Sequence, residues 1–189
     1  KLDLHIHVVC DRGFRTACNA YEAAKNHTLE QGKAWDIFME LAHCELVHPE
    51  DMKRPAELGI LINWTPHWAG GYFGEAAIEY LGQERWNTMY DFTGMIKTGA
   101  TVTYSSDVIG ENEEYRADPY FGMEISATRV DLSHPLNPDK YPGSVRPPIN
   151  ARLTVEQMID GYTRAGAVPF RMSDKIRSEE RRVGKECIA

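Results

Sequence analysis

The stretch LDLHIHVVCDRGFRTACNAYEAAKN, residues 2–26, joins a strand pattern to a helix pattern without a long loop between them. Its beginning, LDLHIHVV (2–9), alternates apolar and polar residues and ends with β-branched residues, which predicts a β-strand. Its second part carries apolar or small residues at helical spacing, at Phe14, Ala17, Cys18, Tyr21 and Ala24. A strand followed directly by an amphipathic helix is the repeating unit of α/β proteins.

The same strand–helix order repeats along the chain. Further strands are predicted at 38–44, 59–64 and 100–107, and further helices at 48–58, 74–82, 84–99, 119–130 and 154–167. Pro119 suits the first position of its helix, and Thr154 with Gln157 forms a capping-box sequence. Four strand–helix units predict parallel strands with crossover helices, either half of an eight-stranded barrel or one small doubly wound sheet.

Composition restricts the class of protein. The 189 residues are enough for one domain, and 42% hydrophobic with 26% charged residues is a globular profile. A net charge of -7 argues against a nucleic-acid partner, and no apolar run reaches the roughly 20 residues that span a membrane. Cys10, Cys18, Cys44 and Cys187 have no C-x-x-C spacing, so we expect free thiols and a cytoplasmic location.

Both ends of the sequence look unusual. The chain starts inside a strand pattern, which predicts that a preceding part of the protein is missing. RSEERRVGKEC (177–187) has no apolar periodicity and resembles a translated sequencing adapter, so its basic cluster is expected to carry no function. We therefore predict a single unit over 1–174 and a non-native or disordered tail over 175–189.

Side chains that bind metals fall at the ends of the predicted strands. His5 and His7 are two residues apart and therefore share one strand face. His43 ends the second strand and Asp107 ends the fourth. Because the carboxyl ends of barrel strands open onto one face, these groups should converge there, and two imidazoles with a carboxylate suit a cation such as Zn²⁺. Otherwise, each histidine is simply a polar core or surface residue.

Five segments of the chain resemble the amidohydrolase superfamily, and within it amidohydrolase family 3, the N-substituted formamide deformylase-like branch. The segments are HVVCDRGFRTACNAYEAA (7–24), AHCELVHPEDMKR (42–54), LGILINWTPHW (58–68), TGATVTYSSDV (98–108) and NARLTVEQMIDGYTRAGA (150–167). They are similar to the family's H-A-I-G-D-R-A, E-H-A-Q-L-V-x-P-E-D, Q-P-x-H, G-A-x-V-x-x-G-S-D and E-R-L-T-x-E-E-A-L motifs, in the same order. The resemblance extends over about residues 2–174.

The resemblance implies a partial TIM (β/α) barrel with roughly strands five to eight and their helices. It implies that His7 is the strand-five metal ligand, His43 the strand-six ligand, and Asp107 a metal contact that also shuttles a proton. The expected function is metal-dependent hydrolysis of a non-peptide C–N bond in a small amide- or formamide-like substrate. The expected cofactor is a divalent metal, zinc by preference, with one or two ions in the complete enzyme.

Three further residues are expected near the substrate. His67 matches the family's strand-seven histidine and could bind a substrate carbonyl or the oxyanion, or it could simply pack between Trp64 and Trp68. The two tryptophans could line an apolar pocket or serve only for packing. Arg129 and Arg152 are candidate anion binders, although a structural role is favoured for both.

The sequence also departs from the family pattern. Cys10 and Ser105 each replace a glycine, and Trp64 stands where glutamine is usual. The family's first H-x-H pair and its bridging ligand would lie upstream, so the role of His5 stays open and the chain by itself is expected to be inactive.

Several alternatives remain. The chain could belong to a deaminase-like or esterase-like hydrolase of the same superfamily, or to a non-catalytic barrel relative. The expected partners are a small substrate, the missing N-terminal half of the barrel and a second copy in a homo-oligomer. Neither a membrane nor a nucleic acid is expected.

Overall fold

The computed structural model describes residues 2–71, 75–108, 110–111 and 113–176. The adapter-like segment at 177–187, including Cys187, lies outside the described residues. Of the other cysteines, Cys10, Cys18 and Cys44 are free thiols, as predicted. No helix in the described part of the chain is both long enough and apolar enough to cross a bilayer.

The elements alternate along the chain. The strands are β1 (Leu4–Val8), β2 (Met39–His43), β3 (Leu61–Trp64) and β4 (Val102–Tyr104). The α-helices are α1 (Cys10–Glu30), α2 (Arg54–Leu58), α3 (Ile78–Leu81), α4 (Gln83–Trp86), α5 (Phe92–Lys97), α6 (Pro119–Thr128) and α7 (Val155–Tyr162). Short 3-10 turns include Pro49–Asp51, Pro66–Ala69 and Ala165–Ala167.

The four strands form one parallel sheet in the order β1-β2-β3-β4. A doubly wound sheet reverses its strand order at a switch point, and the described strands show no reversal. Sequential order is the arrangement within a barrel wall, because each crossover helix returns the chain to the adjacent position. The fold is therefore α/β, with a parallel sheet consistent with part of a barrel.

The two faces of the sheet differ in polarity. On the helix-covered face, Leu41 of β2 pairs in register with Ile6 and Ile62, and Ile62 pairs with Val102. Leu41 and Ile62 are fully buried against the helices. On the other face the register brings polar residues together, in the pairs His5–Glu40 and Asn63–Thr103. The period-2 alternation of each strand thus separates an apolar core from a polar interior.

The prediction of one continuous helix over 84–99 is wrong. It is interrupted between α4 and α5, where Tyr90 has a φ of 59°. The Tyr90 N–H donates to the carbonyl of Glu45 at 2.7 Å instead of to a helical carbonyl, and Asp91 then caps α5 by accepting from the Gly94 N–H. A contact to a distant segment has overridden local helix propensity.

Other predicted elements are present, but some bounds differ: the strand predicted at 100–107 extends only over Val102–Tyr104, and the helix predicted at 154–167 ends at Tyr162. Pro119 begins α6, and both hydrogen bonds of the Thr154–Gln157 capping box are present at the start of α7. Arg129 ends α6 in the left-handed conformation, with a φ of 63°. The helix predicted at 48–58 is a 3-10 turn followed by α2.

Candidate metal centre

Three of the predicted ligands meet at the carboxyl ends of the strands. His7, His43 and Asp107 each offer one ligand atom, and these atoms all lie within 4.8 Å of one another. The closest pair is His7 Nδ1 and His43 Nε2, separated by 2.8 Å. The sheet produces this arrangement because β1 and β2 are neighbours in parallel register and β4 ends at the same edge.

Left-handed backbone conformations mark these strand ends. His43 has a φ of 74°, Asp107 of 47° and Cys10 of 62°. Such values are uncommon for residues other than glycine, and strained residues of this kind cluster at functional sites. At Cys10 the left-handed conformation is adopted although cysteine stands where the family pattern has glycine. The strand-to-helix turn is thus formed, at some conformational cost.

The chemistry of the three side chains suits a borderline divalent cation. Burial lowers the pKa of His43, and the charge of Asp107 opposes this effect only in part, so the imidazole stays in the neutral form that binds metals. Donor atoms that share one Zn²⁺ lie no more than about 4 Å apart, so the observed separations require only small adjustment. Two imidazoles and one carboxylate would leave coordination positions open for water or substrate.

Residues of the segment after β3 surround His43. Trp68, half-buried, stacks on the His43 ring with centroids 4.7 Å apart and planes only 10° from parallel. Thr65 is buried and places its Oγ1 3.4 Å from His43 Nδ1. Trp68 therefore contacts a candidate ligand directly, a position that the sequence did not predict.

His67 is almost completely enclosed. It is 2% exposed and lies beside the rings of Trp68 and Phe121, at centroid distances of 6.4 and 6.3 Å. Burial, followed by the charge of Arg116, lowers its pKa to about 4, which keeps the imidazole neutral at physiological pH. Within the described part of the chain, neither ring nitrogen of His67 forms a hydrogen bond to another residue.

Trp64 is not brought together with the three candidate ligands. It is 2% exposed, and its ring packs on Phe92 of α5 at 4.2 Å and near Tyr104 at 6.4 Å. It lies on the helix-covered face because its neighbour Asn63 occupies the polar face. A substrate contact for Trp64 stays a prediction. In this structure the Trp64 side chain packs in the core against Phe92.

A chain of hydrogen bonds crosses the polar interior below the metal site. Glu40 accepts from Thr103 Oγ1 at 2.6 Å and bonds His5 Nδ1 at 2.8 Å. Asn63 donates to Thr103 Oγ1, and the Ser105 hydroxyl donates to Asn63 Oδ1. Glu40, although buried, thus has a hydrogen-bond partner at each of its carboxylate oxygens. His5 is thus a partner of Glu40, and the described site does not include it among the three converging ligand atoms.

Local sequence patterns did not predict this chain of residues. The sequence did contain a signal. Glu40, Asn63 and Thr103 each lie between two apolar residues, on β2, β3 and β4 respectively. The pairing itself depends on the strand register, which the sequence does not specify.

The two arginines that were candidate anion binders, Arg129 and Arg152, both donate hydrogen bonds to backbone carbonyl oxygens. Arg129 is fully buried and donates to the carbonyl oxygens of Met89, Tyr90, Arg146 and Pro147. Arg152 is exposed and donates to the carbonyl oxygen of Thr128 at 3.2 Å. Both guanidinium groups thus bind backbone carbonyls within the protein.

Comparisons with known proteins support the fold and indicate a family. Residues 1–178 match the model of a family described as the amidohydrolase family. An uncharacterized metal-dependent hydrolase from Pyrococcus horikoshii OT3 is similar in structure, with a TM-score of 0.67, 19% identity, and coverage of 94% of this chain and 31% of that one. One from Pyrococcus furiosus has a TM-score of 0.64, 21% identity, and coverage of 94% and 32%. No curated protein matches the chain significantly. The chain spans about a third of the length of each hydrolase, and at these identities the likeness shows the fold.

Proposed function

The chain belongs to the amidohydrolase family, and from this premise we propose that it is the metal-binding part of a metal-dependent hydrolase that cleaves a non-peptide C–N bond. The observation that carries the proposal is the convergence of His7, His43 and Asp107 at the carboxyl end of a parallel sheet. Zinc is the proposed cation, with one or two ions in the complete enzyme, because imidazole and carboxylate donors suit it.

When bound there, the cation would supply Lewis acidity and lower the pKa of a water molecule. Asp107 takes up the proton of the attacking water at its carboxylate and delivers that proton to the leaving nitrogen. Its left-handed backbone holds this carboxylate toward His7 and His43. His7 and His43 would hold the cation, and their Nδ1 and Nε2 atoms face each other at 2.8 Å.

His67 and Trp68 are the proposed substrate contacts. A neutral imidazole can donate a hydrogen bond to the substrate carbonyl and strengthen it as negative charge develops on that oxygen. The low pKa of His67 and the absence of a protein hydrogen-bond partner in the described residues support this role. Trp68 and Phe121 would form apolar walls, which favours a small amide- or formamide-like substrate with an apolar group.

Activity is proposed to need further β/α units on both edges of the sheet. Outward-facing Leu4 and Ile6 of β1 are 46% and 37% exposed, although their neighbours on β2 are buried. Beside β4, an open cavity of about 580 Å³ has the apolar side chains of Ile96, Val102 and Val168 in its lining, together with the charged side chains of Glu156, Asp160 and Arg164. Unpaired edges and uncovered apolar faces are unfavourable in an isolated sheet, and additional strands and helices would cover both. Two copies of this chain could also meet at these edges.

Metal binding tests the proposal directly. We expect the purified chain to bind one Zn²⁺ or Co²⁺ in calorimetric titrations, and the variants His43→Ala and Asp107→Ala to lose most of that affinity. His27→Ala, at an exposed position on α1, is the matched control and should bind like the wild type. A wild-type chain that binds no metal, or a His43→Ala variant that binds as tightly as the wild type, would contradict the proposal.

Hydrolysis is assayed separately, with a panel of N-formyl and N-acyl amides. We expect turnover only when the neighbouring barrel units are supplied, in cis or as a second polypeptide. Robust turnover by this chain alone would contradict the proposed need for them.

A further inference from the structure

We infer that Thr65 and Trp68 are positioning residues that set the tautomer and the ring orientation of His43 for metal binding. The inference rests on the proposed metal site and goes beyond it by assigning two residues outside the ligand set. It is based on the two contacts that the His43 ring makes away from His7.

The tautomer follows from proton counting. His7 Nδ1 and His43 Nε2 face each other at 2.8 Å, so both must present lone pairs if they are to share a cation. A neutral imidazole carries one proton, so that of His43 must then reside on Nδ1. Nδ1 faces Thr65 Oγ1 at 3.4 Å, and this hydroxyl is the acceptor that stabilises the required tautomer.

The orientation of the ring is set by stacking. Trp68 covers one face of the His43 ring in a nearly parallel arrangement, and rotation of the ring about its Cβ–Cγ bond would bring it into the indole. Such a restraint is needed because His43 has a left-handed backbone, which removes it from the regular alternation of β2. Its ring direction is therefore not determined by the strand.

The turn that carries both residues is itself held in place. The Trp68 N–H donates to the Thr65 carbonyl at 3.0 Å, which closes the start of the 3-10 turn Pro66–Ala69. From α6, the Ser126 hydroxyl donates to the Pro66 carbonyl at 3.4 Å, and Gly122 allows α6 to approach Pro66 closely. Thr65 and Trp68 are thus presented to His43 on a pre-formed scaffold.

The first test measures metal affinity by competition with a chelator. We expect Thr65→Val, which keeps the side-chain shape and removes the hydroxyl, to weaken Zn²⁺ affinity about 10- to 100-fold, the usual effect of losing such a partner. Thr65→Ser keeps the hydroxyl and should recover most of the affinity. Trp68→Leu should weaken binding and change the visible spectrum of the Co²⁺-loaded protein, whereas Trp68→Phe should do so less.

The second test uses the metal-free protein and is independent of metal binding. Long-range ¹⁵N–¹H spectra of the histidine rings at about pH 8, where histidine is normally neutral, report the tautomer of each ring. Without metal, the 2.8 Å contact between the two imidazoles needs one proton, which His7 Nδ1 then donates to His43 Nε2. We therefore expect the Nδ1–H tautomer for His43 in the wild type and in Thr65→Ser, and a mixture of tautomers in Thr65→Val. Loss of the ring-current shift of the His43 protons is expected in Trp68→Leu.

The outcomes separate the two proposals. A wild-type chain that binds no metal, with His43 nevertheless in the Nδ1–H tautomer that depends on Thr65, would contradict the proposed function and support the positioning role. Tight metal binding that is unchanged in both Thr65→Val and Trp68→Leu would overturn the inference and leave the metal site standing. An Nε2–H tautomer of His43 in the wild type would also overturn it.

Discussion

Replacement of His67 by glutamine should remove most of one pH-dependent component of stability. An unfolded histidine titrates near its ordinary pKa of about 6.5, whereas burial lowers the pKa of folded His67 to about 4. Below about pH 6.5 the unfolded chain therefore binds a proton at this residue that the folded chain does not bind. By linkage, the folded state loses stability as the pH falls from about 6.5 to about 4.

The size of the effect follows from the shift. A difference of about 2.5 pKa units at about 1.36 kcal/mol each corresponds to about 3 kcal/mol. Because His67 is 2% exposed, solvent screens this effect little, and about 3 kcal/mol is the upper value. A loss of this size is a large fraction of the stability of a typical domain.

The assay is urea denaturation in the presence of a chelator, at a series of pH values between about 4 and 7.5. The wild type should lose up to about 3 kcal/mol more unfolding free energy over this range than His67→Gln. The control His27→Gln removes an exposed histidine and should follow the wild type. Stability curves that stay parallel for the wild type and His67→Gln would refute the reasoning, because the buried imidazole would then not be held neutral.

Two further pairs of substitutions test the packing of the fold, each by chemical denaturation. Gly161→Ala should destabilise the fold by about 3 kcal/mol, since its added Cβ would overlap the Tyr104 ring, whereas Gly13→Ala, with only an ordinary contact at 3.7 Å, should stabilise α1 by up to about 1 kcal/mol. Arg129→Met should cost about 3 kcal/mol, because it leaves buried carbonyl groups without donors, and exposed Arg152→Ala should change stability by less than about 0.5 kcal/mol. If the two variants of either pair changed the free energy of unfolding equally, burial and contact would not determine the effect of substitution at these positions.

Much of the site could be predicted from local patterns. Alternation at 2–9 predicts a strand with His5 and His7 on one face, and His43 and Asp107 follow later strands. Because parallel strands with crossover helices bring their carboxyl ends to one edge, His7, His43 and Asp107 were expected to meet, and their ligand atoms do lie together. The match with the amidohydrolase family over residues 1–178 supports the family that the motifs suggested.

Other features could not be read from local patterns. The break between α4 and α5 depends on a hydrogen bond from Tyr90 to Glu45, which is 45 positions earlier in the chain. Trp64 and Trp68 are four residues apart, and the sequence predicts both as possible pocket residues. The alternation of β3 sends Trp64 into the core, whereas the turn that follows lays Trp68 on His43.

The sequence by itself determined the alternation of strands and helices and the residue types at the strand ends, because these depend on periodicity within each segment. Only the tertiary structure decided which side chains contact one another. Glu40 hydrogen-bonds to His5, and Thr65 and Trp68 contact the ring of His43. The physical reason is that strand register and left-handed backbone turns result from packing between segments distant in sequence, and small changes in either redirect a side chain to a different partner.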